Sequence, residues 1–157
     1  ADAKKLKPSE PVLNAGFEEG AGRSVGAWIE GPIEGGLRPS ADGTQPGAGR
    51  RSLRMDVSAS CSGGLIQRVV IEPGAVYRIQ AKIRAEKLDG DAYVTLFTGD
   101  INAPITRTEM LKQIPNRWAE ITGKFASQKR RCVYVCCYVK AKSGIVWFDD
   151  VELIREK

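Results

Sequence analysis

The sequence predicts an all-β protein, a β-sandwich or jelly roll of roughly nine or ten antiparallel strands. Apolar and polar residues alternate along short segments, and turn residues separate these segments at intervals of about 8–12 residues. Seventeen Gly and eight Pro provide for many turns. No segment has a helical period longer than two turns, and the single candidate, 106–114, could equally be an irregular strand.

The predicted strands follow one another through the second two thirds of the chain. In 76–85, Ile79, Ala81 and Ile83 alternate with basic or amide residues, which indicates one buried and one exposed face. The segment LDGD (88–91) is predicted to be a turn. Residues 19–50 contain more than half of the glycines and are predicted to be long loops. The strand segments are 51–57, 65–71, 76–85, 92–98, 117–125, 132–141 and 144–154.

The length of 157 residues suits one domain, which we place at 11–157 after a flexible tail at 1–10. The longest apolar run, 132–139, is too short to span a membrane. The net charge is +5, but the basic residues are scattered, so we expect neither a nucleic-acid nor a membrane partner. The polar start could remain after removal of a signal peptide, and we expect a secreted or cell-surface protein.

The chain contains no histidine, which excludes His-based triads, His general bases and nearly all catalytic zinc sites. The four cysteines do not have the paired spacing of a zinc site. A disulfide from Cys61 is possible, and the sequence does not select its partner. The other three are Cys132, Cys136 and Cys137.

Two acids stand side by side inside the last predicted strand, WFDDVELI. Alternation places Asp149 on the apolar face with Trp147 and Val151, and Asp150 on the other face. A buried carboxylate needs a partner, because an unpaired buried charge is costly. A hard cation such as calcium would serve, and Asp149 is the favoured ligand with Asp150 second. Alternatively, backbone N–H groups or an arginine could satisfy the carboxylate.

Five segments in order resemble carbohydrate-binding modules with a galactose-binding-like jelly roll, of the type that binds xylan and β-glucan. Together they span nearly the whole chain. The segments are LNAGFEEG (13–20) followed by Trp28, GAGRRSLRM (47–55), IQRVVIEPGAVYRIQAKIR (66–84), NRWAEITGKF (116–125) and VWFDDVELI (146–154).

The resemblance implies a domain without catalysis of its own, usually appended to an enzyme that degrades polysaccharides. It implies a structural calcium near Phe17-Glu18 and Asp149-Asp150, so Glu18 joins the two aspartates as a candidate ligand. It also implies a concave face on which aromatic rings stack against sugar rings. Trp118 and Trp147 match positions that are normally structural, and we assign them to the core.

Strand parity then selects the candidate sugar-binding residues. Val133, Val135, Cys137 and Val139 form the better core set of their strand, which leaves its tyrosines outward together with Tyr93. The basic and amide residues of 76–85 would continue this face, and their charge would suit uronic acids or sulfate groups. Trp28 would add a ring at the rim, beside Arg23. The predicted site comprises Arg23, Trp28, Arg78, Gln80, Arg84, Tyr93, Tyr134 and Tyr138.

The leading hypothesis is therefore a non-catalytic module that binds a polysaccharide by aromatic stacking and by hydrogen bonds from arginine and glutamine. A protein-interaction or adhesion sandwich without a sugar site is the first alternative. A small polysaccharide lyase or hydrolase is the second, because lyases of acidic sugars can work with Tyr and Arg or Lys.

Overall fold

A computed structural model describes residues 12, 15, 17, 20–21, 24–43 and 51–156. Within these residues all regular structure is strand, which confirms the predicted all-β class. No helix among them is long and apolar enough to cross a membrane. The strands are β1 (Gly20–Ala21), β2 (Ser24–Val25), β3 (Ile29–Glu30), β4 (Glu34–Asp42), β5 (Ser52–Val70), β6 (Val76–Phe97), β7 (Thr106–Arg107), β8 (Ala119–Ala126) and β9 (Cys132–Arg155).

Three strands are unusually long, and each is interrupted at the same level of the sheet. The register between β5 and β9 shifts between Val57 and Cys61, and that between β6 and β9 shifts between Glu86 and Gly90. Such irregularities bend strands and increase their twist. We call the part of the sheet that contains β5 up to Val57 sheet A, with the strand order β4-β5-β9-β6-β8. The part that contains β5 from Cys61 onward is sheet B, with the strand order β3-β5-β9-β6-β7.

One hydrophobic core joins the two sheets. Sheet A contributes Leu53, Ile83 and Phe148, and sheet B contributes Val94 and Val135; none of these side chains is exposed. Because both sets belong to one cluster, the inner faces of the sheets pack against each other as in a β-sandwich. The outer faces therefore point away from each other.

The prediction of separate strands was wrong at three places, because each bend was taken for a turn between strands. Segments 51–57 and 65–71 form the single strand β5, segments 76–85 and 92–98 form β6, and segments 132–141 and 144–154 form β9. The predicted turn at 88–91 lies inside β6. The prediction of long loops at 19–50 was also wrong in part, because the nine-residue strand β4 lies there and pairs with β5.

The last strand contains a further irregularity at the two aspartates. The register between β6 and β9 shifts between Gln80 and Lys82, and Asp150 has a left-handed φ of 46°. Phe148 and Val151 consequently both face the core, although they are three positions apart and regular alternation would put them on opposite faces. The prediction that Trp147 and Val151 share a face was therefore wrong, because alternation does not continue through the bulge.

All four cysteines are free thiols in the structure. Cys137 lies in the core, whereas Cys136 is buried on the outer side of sheet B. The disulfide that Cys61 could have made is absent among these four residues.

Candidate functional site

The outer side of sheet B carries four aromatic side chains, which we call the aromatic face: Tyr93, Phe97, Tyr134 and Tyr138. Phe97 is only 6% exposed and packs against Tyr134, so the three half-buried tyrosines are the rings that a ligand can reach. Tyr93 lies directly across the strand pair from Tyr138, and Phe97 lies across from Tyr134. The ring centroids are 5.3 Å apart in each pair, a distance typical of interacting aromatic rings. The predicted outward orientation of the three tyrosines is confirmed, since none belongs to the core cluster.

A row of small residues separates the two aromatic pairs. Thr95 and Cys136 are paired across β6 and β9, and their larger neighbours bury both almost completely. Burial raises the pKa of the Cys136 thiol to about 12, so it remains protonated near neutral pH. This thiol is therefore not a nucleophile, and the row forms the floor of the aromatic face.

The two tyrosine hydroxyls at one end of the face also remain protonated. Burial is the main cause that raises the pKa of both Tyr93 and Tyr138 above the ordinary value. A neutral phenol can both donate and accept hydrogen bonds. Each of these rings can thus offer an apolar surface and a polar edge to the same ligand.

Two arginines that the sequence did not single out accompany the aromatic face. The Arg107 guanidinium lies 5.4 Å from the centroid of the Tyr93 ring. Arg68 is exposed and lies directly opposite Tyr134 across β5 and β9. Neither makes an ion pair with a described carboxylate. Parity along β5 could have placed Arg68, but Arg107 lies on a two-residue strand without a periodic pattern.

Apolar side chains border the same face. Ile29 pairs with Ile66 across β3 and β5, and Ile29 is 64% exposed. Val70, further along β5, is 68% exposed. Exposed apolar residues beside aromatic rings are typical of a binding surface.

The prediction that Arg78, Gln80 and Arg84 share this face was wrong. They lie before the bend of β6, in sheet A, where they pair with β8 and β9. Tyr93 lies after the bend, in sheet B. Because the outer faces of the two sheets point in opposite directions, the basic residues and the tyrosines lie on opposite sides of the protein.

The outer side of sheet A instead holds a cluster around Trp147. Guanidinium groups of Arg54 and Arg84, from the two flanking strands, lie 5.6 and 5.4 Å from its ring centroid. The indole Nε1 donates a hydrogen bond of 2.8 Å to Asp42 Oδ2. Trp147 is buried, but it is absent from the core cluster. The predicted burial of Trp147 is thus confirmed, although its ring packs on the outer side of sheet A. The assignment of Trp118 to the core was wrong, because Trp118 is only half-buried and lies outside the core cluster.

The prediction of Trp28 as a ring at the rim was wrong. Trp28 is 5% exposed, belongs to the core cluster and packs against Phe17 at a centroid distance of 5.3 Å. A buried ring cannot stack on a sugar without opening the core. Its predicted neighbour Arg23 lies outside the described residues.

Two of the three candidate calcium ligands, Asp149 and Asp150, lie in the described part of the chain and are close in space to Ala15. Asp149 is completely buried, and its Oδ1 accepts a 2.8 Å hydrogen bond from the Asp150 N–H. Asp150 instead directs its carboxylate to Lys82 Nζ at 3.1 Å. The N–H of Val151 donates to the Ala15 carbonyl at 2.9 Å, which places Ala15 beside these aspartates.

The donor set fits a hard cation in part. A buried carboxylate oxygen is a ligand that calcium prefers, and Asp149 provides one. Among residues 24–43 and 51–156, no cluster of three or more acidic or cysteine side chains could hold a metal. Glu18, the predicted partner from the other end of the chain, lies outside the described residues.

Similar folds occur among solved structures. The xylan-binding domain CBM22-1 of Paenibacillus barcinonensis Xyn10C matches with a TM-score of 0.63 and 17% identity, over 91% of this chain and 92% of that one. TmCBM61, solved with β-1,4-galactotriose, matches with a TM-score of 0.60 and 18% identity, over 94% of this chain and 99% of that one.

The enzymatically active domain of bacteriophage CBA120 tailspike protein 4 matches with a TM-score of 0.70 and 10% identity. The match covers 95% of this chain but only 22% of the tailspike chain. No family model matches this sequence, and no curated protein matches it.

This chain shares its jelly-roll fold with carbohydrate-binding modules. The predicted fold is thereby confirmed along nearly the whole sequence.

Proposed function

We propose that this protein is a non-catalytic polysaccharide-binding module and that the aromatic face is its binding surface. The observation that carries the proposal is the gathering of four aromatic side chains, in two cross-strand pairs, on the side of sheet B that faces away from the core. The shared fold supports it, because several solved structures with this fold are carbohydrate-binding modules. A role as an accessory domain of a secreted carbohydrate-active enzyme belongs to the same proposal.

The chemistry of the face suits a sugar chain. The axial C–H groups of a pyranose form an apolar surface, and a rigid aromatic ring covers this surface at a small cost in conformational entropy. Arg68 and Arg107 can donate to sugar hydroxyls, or to carboxylates if the chain contains uronic acids. The basic residues of 76–85, whose charge suggested an acidic ligand, lie in sheet A and not on the aromatic face. Arg68 and Arg107 are the cations that accompany the aromatic face instead.

Affinity electrophoresis against neutral and acidic polysaccharides tests the proposal. Tyr134→Ala should weaken binding at least about tenfold, equivalent to ~1.4 kcal/mol, because it removes a stacking ring. Tyr134→Phe is the matched control, since it keeps the ring and loses only the hydroxyl. Equal retardation of the wild type and the alanine variant would exclude the aromatic face as the binding surface.

We also propose that a structural calcium ion binds Asp149, with Glu18 from the start of the chain and Asp150 as further candidate ligands. The support is the complete burial of the Asp149 carboxylate and the hydrogen bond from Val151 to Ala15 beside it. Asp150 is the weaker candidate, because its carboxylate pairs with Lys82. A cation here would bind only the folded state and would therefore stabilise it.

Thermal unfolding with calcium and with a chelator tests this second proposal. The wild type should melt several degrees higher in calcium, and Asp149→Asn should abolish the difference even if it lowers both melting temperatures. Asp150→Asn is the matched control and should keep most of the calcium effect. Identical melting of the wild type in calcium and in chelator would show that no calcium binds.

A further inference from the structure

A small polar cavity adjoins one end of the aromatic face. Its volume is about 160 Å³, and Tyr138 forms part of its wall. Pockets for drug-sized ligands are larger, about 300–1,000 Å³, so this one has room for a single small ring. The lining residues are Pro32, Glu34, Ser62, Gly63, Ile101, Asn102 and Tyr138.

Two segments from opposite edges of sheet B form the walls. Pro32 comes from the connection between β3 and β4, and Glu34 is the first residue of β4, where it pairs with Ser62 of β5. Ile101 and Asn102 come from the connection between β6 and β7, where Asp100 Oδ1 accepts a 2.9 Å hydrogen bond from the Asn102 N–H. The walls therefore close the aromatic face at its Tyr138 end.

The first wall can approach only because β5 has glycine at this point. Gly63 has a φ of 131°, and a Cβ there would lie 2.2 Å from the Pro32 carbonyl oxygen. The Gly31 N–H donates a 2.9 Å hydrogen bond to the Gly64 carbonyl and holds the wall in place. The backbone thus sets the position of the first wall.

The side chains in the cavity have unused hydrogen-bonding capacity. Within the described part of the chain, Glu34, Ser62 and Asn102 make no side-chain hydrogen bond to another residue. A carboxylate, a hydroxyl and an amide beside an aromatic ring are the groups that bind a neutral sugar, since together they can accept from and donate to its hydroxyls. The Glu34 carboxylate would repel a uronic acid.

We propose that this cavity binds the terminal neutral monosaccharide of a glycan whose following residues lie across the aromatic face. The inference rests on the proposed function and deepens it, because it specifies that the protein recognises the ends of glycan chains. Glu34 accepts hydrogen bonds from the hydroxyls of the terminal sugar, and Asn102 and Ser62 complete the contacts.

Two measurements test the inference on a polysaccharide that retards the wild type. Mild depolymerisation at constant mass creates chain ends and should increase the amount of bound protein in proportion. Glu34→Gln should weaken binding roughly tenfold or more, as loss of charge-assisted hydrogen bonds implies. The matched control, Glu120→Gln on the outer side of sheet A, should leave binding unchanged.

The outcomes separate this inference from the proposed function. If Tyr93→Ala weakens binding but Glu34→Gln and depolymerisation leave binding unchanged, the aromatic face binds internal segments of the glycan. The proposal that the cavity binds a terminal sugar is then wrong. If the wild type binds no polysaccharide in the panel, the proposed function fails and the cavity proposal with it.

Discussion

At the scale of single residues, Trp147 shows how a large apolar side chain is buried outside the core. Its neighbours in sequence, Val146 and Phe148, both face the core, so the indole must face outward. Two guanidinium groups then cover it, and Asp42 accepts its N–H. Cation–π contacts of this kind contribute about 0.5–1 kcal/mol each at exposed sites.

The hydrogen bond to Asp42 should dominate the contribution of this tryptophan to stability. Trp147→Phe keeps an aromatic ring but removes the indole N–H, and a hydrogen bond to a charged acceptor contributes about 1.5–3 kcal/mol. We expect a loss of roughly 2 kcal/mol in the free energy of unfolding, measured with urea. Arg84→Gln, which removes one cation and the exposed 2.9 Å hydrogen bond from Arg84 Nε to Asn116 Oδ1, should cost less than about 1 kcal/mol. Equal costs of the two substitutions would contradict this assignment.

The burial of Asp149 could be predicted from the sequence, but the backbone conformation next to it could not. Alternation placed Asp149 on the face of Trp147 and Val151 and thereby indicated burial. The burial is confirmed, although Trp147 and Val151 do not share a face. The positive φ of Asp150 has no clear sequence signal, although Asp tolerates the left-handed region better than most residues. Alternation along the strand is therefore interrupted at Asp150 and does not predict the faces beyond it.

At the scale of elements, alternation predicted which side chains face outward wherever a strand is regular. The inward set of β9, Val133, Val135, Cys137 and Val139, is the predicted one. What alternation could not show is that β6 continues through 88–91 and changes sheets there. Gly and Asp residues are typical of a turn between two strands and equally of a bulge inside one strand, because turns and bulges both need unusual backbone angles.

Glycine at position 64 is required where β5 and β9 approach each other. A Cβ there would lie 1.7 Å from the Cys137 carbonyl oxygen, and this backbone atom cannot move aside alone. Gly64→Ala should therefore destabilise the protein by about 3 kcal/mol or more. Gly99→Ala is the matched control, since nothing lies within 4 Å of its Cβ position, and should change stability by less than about 1 kcal/mol. Urea unfolding of both variants checks this, and similar stabilities would contradict the close approach.

At the scale of the whole molecule, the two outer faces have different chemistry. Sheet A presents charged residues that pair with one another, such as Lys82 with Asp150 and Arg54 with Asp56. Sheet B presents aromatic rings and exposed apolar side chains. A ligand that stacks on rings would find its surface on sheet B, which is why the proposed binding function belongs there.

The sequence was sufficient for the fold and for half of the proposed site. The resemblance to carbohydrate-binding modules and the strand periodicity both indicated the jelly roll, and parity placed Tyr93, Tyr134 and Tyr138 outward. Joining Arg84 to Tyr93 on one face required knowledge of the bend in β6, which depends on tertiary packing. Arg107 lies on a strand of only two residues, and the polar cavity depends on the connecting segments that contribute Pro32, Ile101 and Asn102, so neither has a periodic pattern that could predict it.

The central claim is that the aromatic face binds polysaccharide, and isothermal titration of purified wild-type, Tyr93→Ala and Glu120→Gln proteins tests it most directly. The titrant is the polysaccharide that most strongly retards the wild type in electrophoresis. We predict that Tyr93→Ala weakens binding at least about tenfold, while Glu120→Gln on the opposite outer face binds like the wild type. Wild-type affinity in Tyr93→Ala together with weakened binding in Glu120→Gln would contradict the claim and would move the site to sheet A.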